Sequence, residues 1–176
     1  LTALYYAKTF KAQHFIQVSQ KRGDLMNEAA RLPGAMTAVK GSAKKIQPKL
    51  DAWNSDHGLD VVIANHNSPK QSVLSGTVED IEKIEALLED AGMFGQRLGV
   101  ATAFHSKVVA GSVAPFENYL SSLSLKVPRC PVYANRTALP YEGGIPDLVS
   151  TLSKQISSPV RFVELIENMH QDGVTL

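Results

Sequence analysis

The stretch Leu59 to Gly76, LDVVIANHNSPKQSVLSG, decides the architecture. Leu59 to Ala64 is rich in Val and Ile, the residues that suit a half-buried pleated surface, and is expected as a strand. Asn67-Ser68-Pro69-Lys70 is a turn: Asn and Ser bond back to their own backbone and Pro presets φ. Gln71 to Gly76 returns as a second strand. Downstream, Thr77-Val78-Glu79-Asp80 has the form of a capping box, and Val78, Ile81, Ile84 and Leu88 continue at helical spacing until Ala91-Gly92. Leu98 to Phe104, LGVATAF, is expected as another strand. Upstream, Ala35 to Lys40, AMTAVK, is a short strand, and Ser42 caps a helix running to about Trp53. Ser55-Asp56-His57-Gly58 then turns the chain.

The resulting order, β-α-β-β-α-β, is the ferredoxin-like arrangement, with two helices on one face of a four-stranded antiparallel sheet. Its flanks have a different character. Leu1 to Ala7 suits a buried helix, and Phe15, Val18, Leu25 and Ala29 define a second, stopped soon after by Pro33-Gly34. Beyond Phe104, Val109, Val113, Phe116, Leu120 and Leu123 predict one helix, and Val127 to Ala134 a strand. Ile145, Leu148, Leu152 and Ile156 predict a further helix, as do Val163, Ile166 and Met169. The expected organisation is therefore an α/β body, residues 1–31 and 105–176, interrupted by a ferredoxin-like unit at 32–104. The chain opens on Leu1 inside an apolar pattern and closes on Gly173 to Leu176, which suits the start of a strand; both ends are expected to continue in a longer protein.

Composition narrows the function classes. Eighteen basic against 17 acidic residues give a net charge of +1, without the basic excess of a nucleic-acid-binding protein. The single cysteine, Cys130, excludes an internal disulfide and a cysteine-rich zinc site. No apolar run approaches the roughly 18 residues of a membrane span, and no signal peptide opens the chain, so a cytoplasmic setting is expected. Walker, dinucleotide-binding and G-x-S-x-G patterns are all missing, and no spacing suggests a metal.

Two residues stand out against this background. His105 falls where an apolar strand gives way to a helix, a place that presents side chains at the mouths of α/β clefts or simply caps the helix. Arg22 lies in the apolar stripe of its helix, so it either snorkels to the surface or pairs with an anion, as a structural ion pair or as a planar fork for a bound carboxylate. His66, between Asn65 and Asn67, can line a cleft; His57 is turn chemistry; His14 and His170 are expected as solvated side chains. Lys40, Lys44, Lys45 and Lys49 form a small basic patch, a solvated helix face or a docking point for phosphate or an acidic partner.

These stretches, taken in order, resemble one family. Lys21 to Met26, Pro33 to Val39, Asn65 to Gly76, Ala103-Phe104-His105-Ser106, Pro131 to Asn135 and Gln155 to Val160 are similar to the malonyl-CoA:acyl carrier protein transacylases, the acyltransferase domains of fatty-acid and polyketide synthases. The likeness extends over essentially the whole chain. It implies an α/β-hydrolase-like body carrying a ferredoxin-like insert. It also implies ping-pong transfer of malonyl from coenzyme A, through a serine ester, to the phosphopantetheine thiol of an acyl carrier protein. That serine belongs to a G-H-S-x-G-E motif expected just before Leu1, so the chain by itself is expected to be inactive. By the same resemblance His105 is the general base, oriented by a backbone carbonyl near Gln155. Arg22 holds the malonyl carboxylate, and Phe104 fills the space that a methyl branch needs. Asn67 and Gln155 complete the expected substrate-binding set. No cofactor bound by this domain and no metal are expected; the partners are malonyl-CoA, the carrier protein and neighbouring synthase domains such as a ketosynthase, with no nucleic acid or membrane. Two other readings stay open: a non-catalytic acyltransferase-like scaffold, and a regulatory ligand-binding module built on the ferredoxin-like unit.

Overall fold

The computed structural model describes residues 1–29 and 33–175. Its middle is a four-stranded sheet of β1 (Gly34–Lys40), β2 (Val62–Ser68), β3 (Gln71–Thr77) and β4 (Gly95–Arg97), in the order β2-β3-β1-β4. Every pairing is antiparallel, as the ferredoxin-like order requires. Two helices, α3 (Ala43–His57) and α4 (Val78–Asp90), supply the apolar side chains that cover one face. Helix α4 forms where its residues demand it. The Thr77 hydroxyl accepts the amide proton of Asp80 at 3.1 Å, and Glu79 and Asp80 face the positive end of the helix dipole. Ile81, Ile84 and Leu88 are completely buried beside Ile46, Leu50 and Leu74, each contributing roughly 1.5–3 kcal/mol. Helix α3 runs past Trp53 to His57, ending where Gly58 adopts the left-handed conformation, so the expected Ser55–Gly58 turn is mostly helix.

Two strand positions differ from the sequence expectation. Strand β2 occupies Val62–Ser68 instead of 59–64, leaving only Pro69 and Lys70 in the hairpin. Leu59 and Val61 are still buried, but as the approach to the strand. The final strand is Gly95–Arg97 and not Leu98–Phe104. Arg97 fixes it by donating from Nε and Nη2 to the Glu85 carboxylate on α4, at 2.8 and 2.6 Å. After Leu98 donates to the Met36 carbonyl the chain leaves the sheet and crosses its other face. There a Cβ on Gly34 would sit 2.3 Å from the Ala103 nitrogen, a close approach that only glycine permits.

The remaining elements build a helical body. They are α1 (Thr2–Tyr6), α2 (Ala12–Ala29), a 3-10 helix (Lys107–Ser112), α5 (Val113–Ser121), α6 (Gly144–Lys154) and α7 (Phe162–Gln171). Leu4, Phe10, Val18, Leu25, Val109, Phe116, Leu120, Leu148 and Ile156 form its core. The helix expected from Val109 to Leu123 is split. Pro115 has no amide proton to give the Gly111 carbonyl, and it is here that the 3-10 helix ends and α5 begins. The expected strand Val127–Ala134 is absent: Pro128 and Pro131 remove donors, and Tyr133 alone makes a bridge, to Pro140. Val174 and Thr175 lie in no strand. The expected domain boundary at residues 31 and 32, and Leu176, fall outside the described residues.

Sheet and body are stitched together beside β2. Val160 runs parallel to Asn65, donating to the Ala64 carbonyl and accepting from the His66 amide, each at 2.8 Å. Lys107 pairs with Asp60 at 2.9 Å, and His66 Nδ1 lies 2.9 Å from Glu164 Oε1 on α7. Among the described residues no helix is long and apolar enough to cross a membrane.

Candidate active site

His105 sits at the seam between sheet and body, half-buried, with φ at +58°. For a residue with a Cβ the left-handed region costs roughly 1–2 kcal/mol, so neighbouring contacts must hold it there. They do so on both sides. The Ser75 hydroxyl donates to the Phe104 carbonyl at 2.8 Å, and the Ser106 hydroxyl to the Ala103 carbonyl at 2.7 Å. Ser106 Oγ also accepts the Val108 amide at 3.2 Å, starting the 3-10 helix.

The ring itself is oriented by the end of α6. His105 Nδ1 lies 3.0 Å from the Gln155 carbonyl oxygen. A carbonyl can only accept, so Nδ1 carries the proton and Nε2 keeps its lone pair. Burial is the main cause holding the His105 pKa below its ordinary value, and the like charge of Arg22 acts in the same direction; the carbonyls of Gln155 and Ser158 pull the other way. The arrangement is a neutral imidazole in a fixed tautomer, able to take a proton at Nε2.

Arg22 reaches this place from α2. It is half-buried, burial lowers its pKa, and among the described residues no carboxylate pairs with it. The structural ion pair weighed for it is therefore not formed among the described residues. A desolvated guanidinium beside a neutral imidazole attracts an anion, and its fork matches a carboxylate in two parallel hydrogen bonds.

The other expected site residues are placed less uniformly. Phe104 is half-buried against Met36, Ala64 and Val73 on the sheet face opposite α3 and α4, immediately before His105. Gln155 contributes its backbone carbonyl to His105. Its side-chain amide donates to the Ser158 and Pro159 carbonyls at 3.1 and 3.3 Å, closing the loop that leads to Val160. Asn67 lies within β2 and not in a turn; it is exposed and donates to Gln71 Oε1 at 3.4 Å. His66 is occupied by Glu164. His57 ends α3, His170 is exposed, and His14 is half-buried with Nδ1 sealed from solvent and without a hydrogen-bond partner among the described residues. Among the described residues no three His, Cys, Asp or Glu side chains converge as a metal site. Ser75 was missed in the sequence because its partner lies 29 residues away across a change of element.

With this geometry in place, comparison with known proteins assigns the class. The chain belongs to the acyl transferase domain family, whose description matches residues 1–175. It is 36% identical over 176 residues to the polyketide biosynthesis malonyl CoA-acyl carrier protein transacylase BaeC of Bacillus velezensis, covering 97% of this chain and 58% of that protein. It is 34% identical over 174 residues to the polyketide biosynthesis protein ThaF of Burkholderia thailandensis, covering 98% of this chain and 15% of that one. Among solved structures, a malonyl CoA-acyl carrier protein transacylase from Burkholderia pseudomallei superposes with a TM-score of 0.84 at 35% identity, covering 98% of this chain and 59% of that one. The transacylase from Xanthomonas oryzae gives 0.90 at 27%, covering 99% and 55%. The chain thus spans less than two thirds of the length of each of these proteins. The fold is that of the acyltransferase body with its ferredoxin-like insert.

Proposed function

We propose that the whole protein transfers malonyl groups from coenzyme A to the phosphopantetheine thiol of an acyl carrier protein within a fatty-acid or polyketide synthase. A serine from outside residues 1–176 is the nucleophile. His105 Nε2 accepts the serine proton as the hydroxyl oxygen attacks the thioester carbon. The carbon–sulfur bond breaks, and the proton passes to the departing coenzyme A sulfur. The carrier thiol then gives its proton to the same nitrogen, attacks the ester carbon, and the serine oxygen leaves, reprotonated by His105. Arg22 holds the free carboxylate of malonyl through both steps. The observation that supports this reading most is the contact of Nδ1 with the Gln155 carbonyl, which leaves the Nε2 lone pair free beside a guanidinium that no carboxylate pairs among the described residues.

Intact-mass measurement on the whole protein mixed with malonyl-CoA tests it. A malonyl adduct on a serine, discharged when carrier protein is added, is the expected result. A protein that binds carrier protein but never acquires the adduct would be the scaffold instead.

The space-filling role proposed for Phe104 makes a further expectation. Phe104→Ser enlarges the site by much more than a methyl group, yet a methyl-sized distinction is worth only about 1–3 kcal/mol. Use of methylmalonyl-CoA relative to malonyl-CoA should rise by roughly 10–200-fold at most. A direct competition assay giving the wild-type ratio would remove the ring from any steric role.

A further inference from the structure

Three serines on or beside the sheet donate to backbone carbonyls, and one of them is placed to govern the site. Ser75 is completely buried, on the same face of β3 as Val73, and it reaches the Phe104 carbonyl at 2.8 Å. Directly across the sheet its register partner is Met36 on β1. Two residues before Met36, the backbone of Gly34 lies against Ala103 so closely that no Cβ would fit. The residues immediately before His105 are thus held against the small sheet twice, by a bare glycine and by a hydroxyl. On its other side His105 is bonded to the body through Gln155. His105 is thus held between two separately packed cores, the backbone before it by the sheet and its ring by the body.

We propose that Ser75 is a positioning residue for His105, its hydrogen bond to the Phe104 carbonyl setting where the imidazole stands over the reacting atoms. The proposal rests on His105 being the general base. Among the described residues the Ser75 hydroxyl bonds to the Phe104 carbonyl and not to the imidazole, so it acts on His105 through the backbone. Without its hydroxyl the Phe104 carbonyl loses its partner, and the 103–105 backbone is free to relax out of the left-handed conformation. A displacement near 1 Å of a catalytic group can cost on the order of 10²-fold in rate.

Ser72 supplies the matched control. It is equally buried on the same strand and donates to the Gly41 carbonyl at 3.0 Å, at the hairpin end away from His105. In the complete enzyme Ser75→Ala should lower kcat about tenfold or more while KM for malonyl-CoA stays within about twofold. Ser75→Cys keeps the size but donates weakly, and should lose kcat in the same way. Ser72→Ala gives up an equivalent bond and should leave kcat unchanged. The pH profile adds a readout that a loss of stability alone would not move. The charged group facing the ring is Arg22, on α2, and burial is the larger cause of the lowered His105 pKa. A loosened, wetter imidazole should therefore shift the acid limb of kcat/KM upward in both Ser75 variants. Wild-type kcat in both of them, or an equal loss in Ser72→Ala, overturns the proposal. His105→Asn keeps the two questions apart. If it is inactive while both Ser75 variants behave as wild type, only the positioning role fails; if it transfers malonyl normally, the general-base reading itself fails.

Discussion

Removing the imidazole is expected to slow covalent malonyl loading of the complete enzyme by about 10²–10⁴-fold, equivalent to roughly 3–5 kcal/mol of barrier. The variant that shows this cleanly is His105→Asn. Alanine at φ +58° would add backbone strain, whereas asparagine tolerates the left-handed region much as histidine does. Rapid-mix quantification of the acyl-enzyme measures the effect, with thermal unfolding alongside. A loss below about tenfold would reject His105 as the base. The wild-type rate should also carry an acid limb. The base works in its neutral form, and burial with the neighbouring Arg22 holds its pKa below the ordinary histidine value. Activity should therefore persist through mildly acidic solution and fall only as pH drops through that lowered value.

The second large effect concerns Arg22. Arg22→Ala is expected to weaken malonyl transfer severely and to leave acetyl transfer equal or better, since acetyl has no carboxylate to hold. Each charge-assisted hydrogen bond of the fork is worth roughly 1.5–3 kcal/mol, so losing two is a large change. Arg22→Lys should fail in large part too, because an ammonium cannot present two parallel donors. The acetyl reaction gives a further sign to check. Arg22 pushes the His105 pKa down through like charge, so its removal should move the acid limb of acetyl transfer to higher pH. Equal losses for malonyl and acetyl together with a lower Tm would mean that Arg22 serves the fold and not the substrate.

The parts of the molecule that were legible in the sequence are those encoded by local periodicity. The spacing of Ile81, Ile84 and Leu88 placed α4, and the Val- and Ile-rich run followed by the Asn67–Lys70 turn located the hairpin, though not its length. Arg22 was conspicuous because a cation in an apolar stripe contradicts its surroundings. Elsewhere, local pattern was overruled by contacts that no short window contains. Leu98–Phe104 has strand-forming residues, yet Leu98 alone bonds to the sheet before the chain is drawn across Gly34. Val127–Ala134 looks extended, but Pro128 and Pro131 cannot donate to a ladder and the Arg129 amide donates instead to the Ala7 carbonyl, far away in the sequence. In the site, the position of His105 could be read from the strand-to-helix junction. Its tautomer could not be read from periodicity, because the Gln155 carbonyl that fixes it lies 50 residues on. Asn67 went the other way, standing in a conspicuous motif but bonding only to Gln71 among the described residues.

The close approach of Gly34 to Ala103 has a topological consequence. The chain departs for the small sheet and comes back at what is nearly one point in space. To the helical body the whole excursion is a loop with almost no span, and closure entropy grows only logarithmically with loop length, about 0.6 kcal/mol per doubling. The body's geometry is therefore insensitive to how many residues the excursion contains. A different small unit could be spliced in at this neck without re-spacing the helices, provided the newcomer also offered a strand edge to Val160 and a donor to the Phe104 carbonyl.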